Sequence, residues 1–157
     1  MILRHWSEHP LPEVLNNKDQ IKKPWTSKPN GFWLSDENSD MSWKKWCDDE
    51  EFRQERLQYW TDFTVDMSDI IHLKNANDIL LFTETYKVKP DDTYSIDWVA
   101  VTLNHKGILI TPYVWECRLN KNCDWYYPWD CASGCFWDVS CLSPIKKGKP
   151  RAKRKGH

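Results

Sequence analysis

A chain of 157 residues fits one domain with one sizeable core, since folding at this size buries roughly two-thirds of the surface that an unfolded chain exposes. Its net charge of −1 hides an asymmetry, because seven of the 22 basic residues and none of the 23 acidic ones follow Cys141, which leaves the preceding chain at −8. No run approaches the roughly 18 apolar residues of a membrane span, and Met1-Ile2-Leu3-Arg4-His5 lacks the charged-then-apolar layout of a secretory signal, so an intracellular protein, cytoplasmic or nuclear, with no membrane partner is expected. In a reducing compartment Cys47, Cys117, Cys123, Cys131, Cys135 and Cys141 are expected to be free thiols.

In chain order, Ile2 to Trp6 reads as an opening strand, followed by a connection interrupted by Pro10, Pro12, Pro24 and Pro29. Gly31 to Ser35 reads as a second strand that pairs with the first across this long loop. Asp40 is placed to cap a helix carrying Trp43, Trp46 and Cys47, with the acidic run Asp48 to Glu51 at its end, where acids oppose the helix dipole. Leu57, Tyr59, Thr61, Phe63 and Val65 alternate with polar or amphipathic neighbours as in a half-buried strand, and Ile70 to Leu73 reads as its shorter partner.

Asn75 is placed to cap a helix whose Ile79, Phe82 and Tyr86 share one face until Pro90 closes the segment. Ile96 to Asn104 is ambiguous between strand and helix; a short helix capped by Asp97 and ended by a left-handed Gly107 is favoured. Ile108 to Tyr113 reads as a buried strand, and the aromatic block Trp125 to Trp137 as short strands or loops. The whole is an α+β domain over 1–143, with a small split mixed or antiparallel sheet of about six or seven strands and two or three helices. A basic tail, 144–157, has Ile145 as its one large apolar group and is expected to be disordered.

That tail's Lys146, Lys147, Lys149, Arg151, Lys153, Arg154 and Lys155 suit a nucleic-acid partner or a nuclear-localisation signal, or serve only solubility. Eleven tryptophans are more than one small core easily hides, because each indole N–H needs a partner when buried, so some should line a cleft. The densest group runs from Trp125 to Trp137, where small residues would let backbone approach a ligand and ring faces would stack on a base or nicotinamide. The alternative is a structural corner in which these rings shield a tight Ser-Gly turn.

His5-Trp6-Ser7 on the opening strand, then Lys28-Pro29-Asn30-Gly31-Phe32-Trp33-Leu34-Ser35, then a helix with paired tryptophans, resemble the first half of ADP-ribosyltransferase-like domains. The same Lys-Pro-x-Gly-x-Trp-x-Ser motif, the Gly107 to Tyr113 segment and the Trp125 to Trp137 block are similar to a group of uncharacterised bacterial and viral proteins. The transferase resemblance implies that NAD is the substrate and that ADP-ribose passes to a macromolecular acceptor, or to water. It implies that His5 holds a ribose, with Trp6 and Ser7 alongside and Trp33 or Ser35 near the nicotinamide. Tyr126, Trp129 and Ser133 complete the implied cofactor-binding set. For the late acid of that family Glu116 is the first choice and Asp130 the second. A carboxylate beside the sugar would stabilise the oxocarbenium character that develops as the nicotinamide–ribose bond breaks.

Two other classes compete. Cys117, Cys123, Cys131 and Cys135 could hold zinc in a nucleic-acid-binding module, although their spacing lacks paired Cys-x-x-Cys knuckles, and no metal site is expected in the transferase reading. The acidic body could instead belong to a non-catalytic viral or phage interaction protein. The sequence has no Gly-rich phosphate loop, nucleophile elbow or His-Glu-x-x-His motif, which disfavours P-loop enzymes, elbow-type hydrolases and zinc proteases.

Overall fold

The computed structural model describes residues 1–20 and 26–149. Its elements in chain order are β1 (Ile2–Ser7), β2 (Phe32–Ser35), α1 (Trp43–Asp49), β3 (Tyr59–Val65), β4 (Ile70–Leu73), α2 (Ala76–Tyr86), β5 (Lys87–Lys89), β6 (Asp92–Ile96), α3 (Trp98–Thr102), β7 (Gly107–Ile110), β8 (Ser133–Phe136) and β9 (Leu142–Gly148). Seven strands form one mixed sheet in the order β4-β7-β8-β2-β1-β3-β9, while β5 and β6 form a separate hairpin. The architecture is the expected α+β class.

Alternation along the strands builds a core on each face of the sheet. Ile108, Ile110 and Cys135 point to one face and pack with Ile79 and Phe82 of α2, Trp98 and Val101 of α3, and Trp125, Tyr126 and Trp129. Leu3, Leu34, Phe63, Leu109 and Phe136 point to the other, where Leu11, Leu15 and Leu142 cover them. Strand β7 is buried on both faces, as its unbroken apolar run requires. Gly107 and Gly134 allow the neighbouring backbone to close in: an added Cβ would stand 2.6 Å from the Phe136 ring at the first and 2.9 Å from the Ile108 carbonyl at the second.

Several local expectations change. Ser42, not Asp40, caps α1, its hydroxyl accepting from Lys45 N, and the acidic end is offset by i,i+4 pairs from Lys44 to Asp48 and Lys45 to Asp49. Strand β4 pairs in parallel with β7 rather than with β3, because the α2 crossover returns the chain beside it. Asn75 and Asp97 cap α2 and α3 as expected, but α3 ends at Thr102, and Gly107 opens β7 with no left-handed backbone.

The largest correction concerns the tail. Leu142–Gly148 is the edge strand β9, paired with β3 from Trp60↔Gly148 to Val65↔Leu142, so the folded body does not stop at 143. Low apolar content misled because an edge strand is held by ladder hydrogen bonds to its neighbour, with Leu142 alone reaching the core. Arg151, Lys153, Arg154 and Lys155 lie outside the described residues.

Leu109 has no solvent exposure, so Leu109→Ala is expected to destabilise the fold by about 2–5 kcal/mol. Loss of the Asn75 cap in Asn75→Ala should cost about 0.5–2 kcal/mol. Both are read as lowered urea midpoints at unchanged m-value.

Candidate functional site

The site arises from a discontinuity in the sheet. Strand β1 pairs with β3 over its whole length, and β2 pairs with β8 over its whole length, but β1 and β2 meet in register only at Arg4↔Ser35. Beyond that pair the strands part. The Trp33 carbonyl, which a continued ladder would pair with backbone N–H, instead accepts a hydrogen bond from His5 Nδ1 at 2.7 Å.

A carbonyl can only accept, so Nδ1 carries a proton and Nε2 of the neutral ring is left as an acceptor. Burial pushes the His5 pKa below its ordinary 6.5 against the opposing effect of the Trp33 bond, and the ring stacks on Phe32 at 4.2 Å. Both effects hold a neutral imidazole in one orientation.

The parted strands border a cleft of about 390 Å³. Trp6, Trp33, Trp43 and Trp129 supply its aromatic walls, Arg4, Lys28 and Arg53 its cations, and Asp130 its one acid among the described residues. Trp33 meets Trp129 edge to face with centroids 5.0 Å apart, and the Lys28 ammonium lies 5.7 Å from the Trp33 ring centre. A smaller depression of about 260 Å³ adjoins the cleft, sharing His5, Trp6, Trp43 and Arg53 and adding Ser7, Glu8, Arg56 and Leu57.

Asp130 sits half-buried, and burial raises its pKa while nearby Lys28 and Arg118 pull it down. The nearer contact is Arg118 Nη2 at 3.8 Å. Lys28 is itself shifted down by burial, with Asp130 drawing it back. The result is a half-desolvated carboxylate facing a half-desolvated amine, in a cleft with more positive than negative groups.

Ser35 and Glu37 brace this arrangement. Ser35 Oγ donates to Glu37 Oε2 at 2.9 Å and accepts from Trp43 N at 2.8 Å, tying β2 to α1. Glu37 Oε1 accepts from Trp6 Nε1 at 2.6 Å, which fixes that indole beside the cleft. Ser133 donates to the Cys131 carbonyl at 3.1 Å. Both serine hydroxyls therefore use their single proton within the protein, and they shape the cleft rather than donate into it.

Of the residues expected from the sequence, His5, Trp6, Trp33, Ser35, Trp129, Asp130 and Ser133 converge on the cleft, and Ser7 lies in the adjoining depression. Two do not belong there. Glu116 is exposed on the short 3-10 turn Trp115–Cys117 and lines neither cavity, because the chain turns outward after β7. Tyr126 is fully buried behind the wall, where its hydroxyl accepts from Val114 N at 2.9 Å and burial shifts its pKa strongly upward. Arg118 donates to Tyr113 Oη at 2.7 Å.

Arg4, Lys28, Trp43, Arg53 and Glu37 were not singled out from the sequence. Arg4 adjoins His5 and Lys28 opens the quoted motif, so their neighbours were the available signal; Arg53 and Glu37 carried none. The zinc reading finds no ligand set: among the described residues no three or more His, Cys, Asp or Glu are grouped to hold a metal. The cysteines are also buried thiols, with Cys131 pushed up to about 12 and Cys47 and Cys141 to about 11, which leaves them poor nucleophiles near neutral pH. No protein-family model, curated protein or solved structure matches the chain.

The depressed His5 pKa has a defined consequence for stability. The unfolded chain takes up a proton at His5 near 6.5, and the folded chain only at lower pH, so the folded state loses stability as pH falls below about 6.5. The slope from this one group is at most about 1.4 kcal/mol per pH unit. Urea unfolding between pH 7.5 and 5.5 should show a smaller decline for His5→Gln than for the unaltered chain.

Proposed function

We propose that the cleft binds NAD and that the protein transfers ADP-ribose to a macromolecular acceptor, with hydrolysis when no acceptor is present. The observation that carries this reading is the convergence of His5, Trp33 and Asp130 at the point where β1 and β2 part. At about 390 Å³ the cleft falls within the usual range of small-molecule sites, and the adjoining depression extends it for a long, bent ligand.

Each group has a role that its chemistry suits. The His5 Nε2 lone pair accepts from a ribose hydroxyl, the indoles of Trp33 and Trp129 offer ring faces and edges to nicotinamide, and Lys28 and Arg53 balance the pyrophosphate charge. As the bond between C1′ and the nicotinamide nitrogen breaks, its electron pair passes to the ring and neutralises the pyridinium, while positive charge grows on the ribose. The Asp130 carboxylate stabilises that charge in a half-desolvated site, where its field is less screened than in water. The acceptor then bonds to C1′ and releases its proton. Nucleic acid is the proposed acceptor, favoured by Lys146 and Lys147 on β9, by Lys149 just after it and by the basic residues that follow in sequence.

Incubation with NAD labelled on nicotinamide or on adenylate, with and without DNA, RNA or protein, is the direct test. Nicotinamide release is expected, with Asp130→Asn lowering kcat about 100- to 1,000-fold and leaving NAD affinity nearly unchanged. Trp33→Ala should chiefly raise KM. If millimolar NAD neither yields nicotinamide nor quenches tryptophan fluorescence, the reading fails, and the non-catalytic interaction protein replaces it.

A further inference from the structure

We infer that the β3–β9 edge of the sheet is a binding surface for single-stranded nucleic acid, leading by a series of paired aromatic rings and cations to the cleft. The inference deepens the acceptor half of the transferase reading.

Strand β9 is the last in the sheet, so its outer edge has no neighbouring strand among the described residues. Lys146, Lys147 and Lys149 stand exposed along it, and none forms an ion pair among the described residues. Asp62, which faces Lys146 across the ladder, is already held by Arg4 Nε at 2.7 Å and Nη2 at 3.0 Å. Arg151, Lys153, Arg154 and Lys155 follow in sequence without an acid, which extends the positive charge.

Lysines on an edge strand also deter pairing with another chain, but that role needs no aromatic partners. Here Lys149 has one. The Lys149 ammonium lies 5.1 Å from the Tyr59 ring centre. The Trp60 indole lies against Gly148, where an added Cβ would stand 2.6 Å from the ring, so the missing side chain keeps the indole flat on the edge. The Arg4 guanidinium sits 3.8 Å from the Trp60 centre and 5.5 Å from that of Trp6.

Tyr59 and Trp60 are successive residues of β3, so their rings flank the edge on opposite faces. Both line a groove of about 650 Å³ together with Lys147 and Lys149, and Glu13 is its one acid among the described residues. Arg4 and Trp6, at the other end of the series, line the cleft.

Phosphates would meet the lysines while unpaired bases stack on Tyr59 on one face of the edge and, by displacing the Arg4 guanidinium, on Trp60 on the other. A duplex offers no free base faces, so the surface should favour single strands. The interleaving of rings with cations distinguishes this surface from one that merely attracts polyanions.

The test measures anisotropy of labelled oligothymidylate, oligouridylate and a blunt duplex with the full chain in the absence of NAD, so its failure is separate from failure of the NAD chemistry. One or both single strands should bind more tightly than the duplex, and the preferred sugar identifies the natural strand as DNA or RNA. Tyr59→Ala and Trp60→Ala should each weaken binding by about 5- to 150-fold. The pair Lys147→Ala and Lys149→Ala should reduce the slope of log affinity against log salt by about 1.4. Because Trp60 also packs on Gly148 and Arg4, thermal unfolding accompanies that variant, and Tyr59→Ala with the lysine pair decides the matter if it unfolds. Absence of binding at low salt, equal affinity for duplex, or binding displaced by polyphosphate and indifferent to Tyr59→Ala would overturn the inference.

Discussion

The hydrogen bond from the His5 imidazole to the Trp33 carbonyl governs how the two halves of the sheet meet. A buried carbonyl left without a donor would cost about 1–3 kcal/mol, and an opening between two strands creates that deficit. Side-chain donation from β1 removes it while leaving the strands apart, so the cleft coexists with a satisfied backbone. The same bond fixes which imidazole nitrogen carries hydrogen, and burial holds the ring neutral. Structure and chemistry thus share one group.

Around that opening the protein uses a second layer of polar contacts for positioning. Glu37 receives Trp6 and Ser35, and Ser35 receives the first turn of α1, so two walls of the cleft are linked through one carboxylate. On the far wall, Tyr113 donates to the Trp129 carbonyl at 2.7 Å and accepts from Arg118, which in turn approaches Asp130. The indole N–H of Trp129 is buried without a partner among the described residues, a cost in the wall itself. Rigid walls of this kind hold a ligand in one orientation at little entropic cost on binding.

Much of the architecture was legible because it depends on local chemistry. Asn75 and Asp97 cap their helices through their own side chains, the Ile79 and Phe82 face follows the 3.6-residue period, and the apolar run Ile108 to Ile110 has only a buried strand available to it. The cleft was legible in part for a related reason: too many indoles for one core implied rings at a surface, and Trp6, Trp33, Trp43 and Trp129 are four of those that line it. Glu116 was misplaced because a strand's end does not reveal which way the chain turns, and Asp130 lies beside β2 only because β8 does.

By itself the sequence determined the class of fold, the two capped helices and the pairing of the first two strands. These follow from periodicity, capping and composition, which act over a few residues. Tertiary structure decided that β4 lies beside β7, that the basic segment becomes the edge strand β9, and that Arg4, Lys28 and Arg53 gather with Asp130. Such outcomes depend on strand order and register, set by the packing of distant segments on both faces of one sheet, and no local pattern records them.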